Sequence, residues 1–140
     1  MNFIQSISTC MRKYVTFSGR ATRSEFWWFY LFTVLVNLVA TSQASSFVPT
    51  LLDGQDMTEN ESSYFLNNFF FLYLSTITSL ILLLPSLAVA ARRLHDVGRS
   101  GWWILIAFTV IGIIPLLIWY VTDTKDEENI YGPNPKTENA

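Results

Sequence analysis

Polar and apolar positions along this chain come in long blocks, and the blocks set the expected architecture. Residues 2–17 place Phe3, Ile4, Ile7, Met11, Tyr14 and Val15 at helical spacing, with Gln5, Ser6, Ser8, Thr9, Arg12 and Lys13 between them. A segment this polar does not span a bilayer. The spacing therefore predicts an amphipathic helix that lies in the membrane interface or packs as a cap on a bundle. From Phe26 the chain turns apolar, and a first span is expected over 24–42. Thr22 and Glu25 have the S/T-x-x-E spacing of a capping box at its start, Gly19 suits a bend before it, and Trp27 and Trp28 stand at the depth where indole rings favour the headgroup boundary.

Farther on, Phe69 to Ala91 and Trp102 to Val121 contain no charged residue. At a rise of about 1.5 Å per helical residue, each can cross a hydrocarbon core of about 30 Å, so further spans are expected over 67–91 and 102–121. Pro85 should kink the second of the three helices, with Ser79 or Ser86 able to take up the carbonyl of Ile81 that it frees. Between the last two spans the residues 92–101 read as a tight polar hairpin, with Arg92 and Arg93 at the negative end of a helix dipole, Gly98 as a left-handed stop and Ser100 as the next cap. Residues 122–140 form a polar, acidic tail with turn signals at Gly132-Pro133 and Asn134-Pro135 and little expected regular structure.

Charge assigns the sides. Arg12, Lys13, Arg20, Arg23, Arg92, Arg93 and Arg99 fall in two segments, whereas the loop 43–63 has Asp53, Asp56, Glu59 and Glu61 and no Lys or Arg. The positive-inside rule puts the N-terminus and residues 92–101 in the cytoplasm and the loop 43–63 outside, and a third full crossing puts the tail outside too. Gly112 and Pro115 hold open a different course, a re-entrant hairpin that returns the tail to the cytoplasm. Residues 20–44 imitate a secretory signal peptide, but the polar stretch ahead of the apolar run is too long and the run opens with bulky aromatics, so an uncleaved anchor is the better reading. Asn60-Glu61-Ser62 is a glycosylation sequon in form only.

Composition narrows the chemistry. The hydrophobic fraction of 51% and charged fraction of 14% mark a membrane chain, since soluble proteins carry about 25% charged residues. Cys10 is the single cysteine and His95 the single histidine, which excludes an intrachain disulfide and a Cys/His zinc site; no metal, cofactor or nucleic-acid partner is implied. His95-Asp96 resembles the start of a metal-dependent phosphohydrolase site, but the further histidines are missing, and a polar turn in which Asp96 pairs with an arginine is the simpler outcome. His95 could alternatively sense protons. No catalytic residue is assigned.

The motif Gly19-Arg20-Ala21-Thr22-Arg23-Ser24-Glu25-Phe26-Trp27, the run Arg92-Arg93-Leu94-His95-Asp96-Val97-Gly98-Arg99-Ser100-Gly101-Trp102-Trp103, and the tail Tyr131-Gly132-Pro133-Asn134-Pro135 together resemble the YhaH-like family of small bacterial inner-membrane proteins, domain of unknown function 805. Val97, Ile130 and Asn134 depart from its pattern. The resemblance implies a multi-pass protein of the bacterial inner membrane and no particular activity.

The expected fold is thus an all-α integral membrane protein, three transmembrane helices plus an N-terminal interfacial helix. The expected function is a non-enzymatic module that binds lipid, itself or another membrane protein through a cytoplasmic cluster of Gly19, Arg20, Arg23, Glu25, Arg92, Arg93, His95, Asp96, Gly98 and Arg99. Arginine forks in that cluster suit anionic phospholipid headgroups, and Glu25 is expected to face at least one arginine. A small transporter or channel subunit is the alternative, disfavoured because no charged residue lies inside the spans, Glu25 standing at the edge of the first; a membrane-embedded enzyme ranks third.

Overall fold

The computed structural model describes residues 1–42, 59–124 and 127–137. Along the chain these form α1 (Phe3–Arg12), α2 (Arg23–Ser42), α3 (Glu59–Asp96), two 3-10 segments (Gly101–Phe108 and Val110–Gly112), α4 (Ile113–Val121), and the strands β1 (Glu128–Asn129) and β2 (Gly132–Pro133). Two units can be distinguished, one of Met1–Leu31 with Leu83–Ala140 and one of Phe32–Leu82.

In the first unit, α1 starts on a reciprocal cap: Gln5 N donates to Asn2 Oδ1 at 2.9 Å and Asn2 N to Gln5 Oε1 at 3.0 Å. The helix ends at Arg12, short of the expected residue 17. Its buried positions are Ser6 and Cys10, one turn apart, whose small side chains let α1 lie close to the first turn of α2. Ile4 and Met11 stay exposed.

α2 begins at Arg23, with Glu25 N donating to Thr22 Oγ1 at 3.1 Å. The Glu25 carboxylate itself accepts from Arg92 Nη1 at 2.6 Å; a charge-assisted bond outweighs the bond to a neutral amide that a full capping box would give it. α3 runs through two regions expected to be irregular. Residues 59–63, assigned to the outer loop, open the helix, while 43–58 and the side chains of the sequon lie outside the described residues. Residues 92–96, assigned to the polar hairpin, are its last turn. Nothing in Arg92–Asp96 breaks a helix, so it continues until Gly98 adopts φ +71°, where Arg99 N closes back on Leu94 O at 2.9 Å.

Within the second unit, Ser79 Oγ donates to Asn37 Oδ1 at 2.6 Å and so ties α2 to α3. Hydroxyl and amide are what hold apolar helices together where lipid supplies no hydrophobic drive between them.

The third apolar stretch does not form the single helix expected over 102–121. Ser100 caps it as expected, accepting from Trp102 N at 3.4 Å, but it then folds back on itself. Thr109 is the fulcrum: its Oγ1 donates to Ile106 O at 2.7 Å and accepts from Gly112 N at 3.1 Å. A Cβ at Gly112 would stand 2.6 Å from that oxygen, so only glycine fits. Pro115 falls in the first turn of α4, where no amide hydrogen is needed. The two ends of the stretch meet, with Trp103 and Trp119 edge-on at 5.5 Å. At the bend, Phe108, Val110 and Ile111 are 88%, 84% and 81% exposed, an apolar tip suited to acyl chains and not to water.

Residues 127–137 of the tail take up a hairpin where little structure was expected. β1 and β2 pair antiparallel, Asn129 opposite Gly132, around a two-residue turn at Ile130-Tyr131. Gly132 takes φ +125°, and Asn129 Oδ1 accepts from Tyr131 N at 2.9 Å. The hairpin lies back on the end of α3, where Asn129 Nδ2 donates to the His95 carbonyl at 2.9 Å.

Candidate functional site

The end of α3 holds the site, and Asp96 is its hub. Its Oδ1 accepts from Arg20 Nε at 2.9 Å; its Oδ2 accepts from Arg93 Nη1 and from Thr124 Oγ1. Arg93 also donates from Nε to the Tyr120 carbonyl at 3.2 Å and from Nη2 to the carbonyls of Trp119 and Thr122, the open C-terminal carbonyls of α4. A guanidinium there satisfies orphan acceptors and complements the helix dipole. Arg20 Nη1 donates to the Gly132 carbonyl at 3.0 Å. The Arg20, Arg93 and Asp96 side chains are 1%, 0% and 0% exposed. Burying ions costs several kcal/mol each, so this arrangement persists only because nearly every fork and lone pair has a partner.

One turn earlier, Arg92 Nη1 meets Glu25 Oε1, again sealed from solvent. The Arg92 carbonyl accepts from Ala21 N at 3.0 Å, so the pair is held by backbone as well. Arg92 Nε and Nη2 have no hydrogen-bond partner among the described residues. Cys10 Sγ lies 3.8 Å from Glu25 Oε1. Burial first, and the neighbouring Glu25 charge second, push its thiol up to about 12 against the nearby Arg92. Such a thiol is inert.

His95 projects from the same turn. Its Nδ1 is 3.2 Å from the Gly19 carbonyl, its ring stacks on Tyr131 at 3.9 Å with the planes 2° apart, and its own carbonyl accepts from Asn129 Nδ2 at 2.9 Å. Gly19 reaches this position with φ +85°, a conformation costly for any residue with a Cβ.

Arg23 and Arg99 stand apart from the buried set. Arg23 is half-exposed, pairing with Asp123 at 3.1 Å and donating to the Val121 carbonyl at 3.2 Å. Lys136 pairs with the same carboxylate at 2.7 Å, and this hydrogen bond is the main reason the Asp123 carboxyl lies below its usual range, helped by the Thr124 amide and Arg23. Arg99 is exposed and lies over the Trp119 ring at 5.2 Å.

The residues singled out from sequence thus come together at one end of α3, in two roles. Arg20, Glu25, Arg92, Arg93 and Asp96 are buried and paired, His95 is partly covered by Tyr131, and Gly19 and Gly98 supply backbone turns. Glu25 faces Arg92, of the three arginines considered. Headgroup contact, expected of Arg20, Arg92 and Arg93 as well, is closed to them by burial and open to Arg23 and Arg99. Cys10 is the buried thiol that its place on the border of the apolar stripe of 2–17 suggests, while Thr124, Asn129 and Tyr131 belong to the same assembly and are not among the candidates from sequence. Only the tail motif at 131–135 hinted at any of them, since no periodicity links that tail to residue 95. Among the described residues, no three His, Cys, Asp or Glu side chains gather where a metal ion could be held.

Comparison with known proteins gives the family. A protein family of unknown function, DUF805, matches residues 14–133, from the end of the N-terminal segment to β2. Inner membrane protein YhaI of Escherichia coli (strain K12) is 36% identical over 127 residues, covering 90% of this chain and 91% of that protein. Inner membrane protein YhaH of the same strain is 36% identical over 132 residues, covering 91% and 93%. No solved structure matches the chain. With a match that includes every segment of the buried cluster except α1, and with α2 and α3 long and apolar enough to cross a membrane, the chain belongs to the DUF805 family and is a helical protein of the bacterial inner membrane.

Proposed function

We propose that the protein is a non-enzymatic membrane module that crosses the bilayer twice, through α2 and α3. The 101–121 hairpin dips into the cytoplasmic leaflet, and both ends of the chain lie in the cytoplasm. The observation that carries this reading is the reach of one carboxylate: Asp96 bonds to Arg20 before α2, to Arg93 within α3 and to Thr124 after α4. Groups that share a carboxylate share a membrane face. The positive-inside rule makes that face cytoplasmic, because the basic residues of 12–23 and 92–99 lie there and none lies in 43–63. The C-terminus accordingly moves from the periplasm, expected of a third full span, to the cytoplasm.

In this reading the buried charges lock the hairpin and tail to the spans, and binding falls to the surface. Arg12, Lys13, Arg23, Arg99 and Lys136 are exposed, and Arg23, Trp27 and Lys136 border a groove of about 570 Å³ that also includes Ser24. Basic forks beside an interfacial indole match an anionic phospholipid headgroup. The exposed apolar faces of α2 and α3 serve for lipid contact and for pairing with a second copy or another membrane protein. Native mass spectrometry of the protein released from mild detergent tests the binding role. The Arg23→Gln/Lys136→Gln variant should retain less anionic lipid than the parent while inserting normally, and equal retention would reduce these residues to topology signals.

A further inference from the structure

A second cavity, of about 470 Å³, opens beside the lock and has a different character. Its lining is apolar, with Phe17, Leu87, Trp102 and Leu105 among the walls and His95 and Tyr131 on one side. No Lys, Arg, Asp or Glu lines it. The volume lies within the range of about 300–1,000 Å³ typical of ligand pockets.

The imidazole on this wall is in a defined state. His95 Nδ1 sits against the Gly19 carbonyl, which can only accept, so Nδ1 carries the hydrogen and the neutral ring presents a bare lone pair at Nε2. Among the described residues Nε2 has no hydrogen-bond partner. The stacked Tyr131 ring and the fixed Nδ1 prevent the imidazole from turning away. Gly101 keeps Nε2 open: a Cβ there would stand 3.3 Å from Nε2 and 3.0 Å from Ala91 Cβ. The other polar side chains on the wall are the Ser100 and Tyr131 hydroxyls and the Trp102 indole, all neutral, so the bare imidazole nitrogen is its strongest acceptor, and a largely apolar pocket of this kind selects an apolar molecule with a neutral donor.

We propose that this cavity binds a neutral membrane lipid bearing a free hydroxyl, of the diacylglycerol class, with the hydroxyl donating to His95 Nε2 and the acyl chains lying along Leu87, Trp102 and Leu105. The site is separate from the headgroup groove at Arg23 and takes the opposite kind of head. It rests on the membrane placement proposed above. Failure of that placement would appear in reporter fusions, whereas failure of the lipid site would appear only in the experiment below.

Because His95 is the single histidine, ¹⁵N-histidine labelling of the full chain gives one imidazole spectrum. The protein is placed in phosphatidylcholine nanodiscs at a pH of about 8, where a histidine of ordinary pKa is neutral. The unprotonated nitrogen should be Nε2, and adding dioleoylglycerol should move its resonance upfield and saturably. Trioleoylglycerol, which has the chains without the donor, should leave it in place. Gly101→Ala should weaken the dioleoylglycerol response by about tenfold, the scale of one lost hydrogen bond. An Nε2 that is protonated at the start, a resonance that does not move, or an equal response to the two lipids would each overturn the proposal, and all three are read on the parent protein without any variant.

Discussion

Arg20 Nε donates to Asp96 Oδ1 at 2.9 Å across 76 positions of sequence, with both side chains sealed from solvent. Asp96→Asn keeps the shape and removes the charge that Arg20 and Arg93 share. Breaking a buried pair on one side costs about 3–5 kcal/mol, so thermal unfolding in detergent should drop steeply. Thr124→Val removes a single hydroxyl from the same carboxylate and should cost only about 1 kcal/mol. Equal melting of Asp96→Asn and parent would mean that packing, not charge, holds the tail.

The Glu25 and Arg92 pair makes a second, separable test. Glu25→Gln leaves the buried Arg92 guanidinium uncompensated and should be destabilising by about 3–5 kcal/mol, whereas Glu25→Leu with Arg92→Met should recover much of that loss. A double-mutant cycle should give a coupling of more than about 1 kcal/mol; strict additivity would reduce Glu25 to a helix cap.

Cys10 reports on this pair without mutation. Its thiol is raised from about 9 to about 12, so at pH 8 the folded protein should hold roughly a thousandfold less thiolate than an ordinary cysteine and resist alkylation by iodoacetamide until α1 detaches. A raised folded pKa stabilises the neutral form. Its contribution is therefore complete below about pH 9 and declines as pH rises toward 12. Rapid labelling of the native protein at pH 8 would show that Cys10 is not sealed.

Topology is tested directly with reporters. A fusion at residue 55 should report the periplasm, and fusions at 97 and 130 should both report the cytoplasm. A periplasmic signal at 130 would restore a third full crossing and remove the two-span reading.

The bend itself rests on Gly112. Gly112→Ala should force its Cβ toward Thr109 Oγ1 and the Ile106 carbonyl and open the hairpin, with a loss of at least 2 kcal/mol expected on the order of an overpacked core position. Thr109→Val, which removes both hydroxyl bonds but keeps the volume, should cost about 1–2 kcal/mol. If Gly112→Ala melts like the parent, the turn has room that the backbone geometry denies.

These tests separate what the residues made legible from what they did not. The two long spans, the start of α2 at Arg23 and the Gly98 stop follow from local rules: apolar length, a hydroxyl cap, a left-handed glycine. The fate of the third stretch does not, because Trp102–Val121 satisfies every length and hydropathy criterion for a span while Thr109 and Gly112 decide its path through two hydrogen bonds and one missing methyl group. The tail fails for a related reason. Tyr131 gains its meaning only from His95, and Arg93 from the open carbonyls of α4, partners that no window of neighbouring residues contains. Burial of Arg20, Arg92 and Arg93 also runs against the habit of reading arginines at a membrane end as surface anchors.

The three partners of Asp96 also impose an order in time. Arg20 leaves the ribosome before either span, Arg93 with the end of α3, and Thr124 only after the apolar hairpin has been made. Until then Arg93 has neither the α4 carbonyls nor the Thr124 hydroxyl beside it. On the two-span reading the tail can close only once residue 124 has been made, and a chain stopped before it would lack the third of the groups that meet at Asp96.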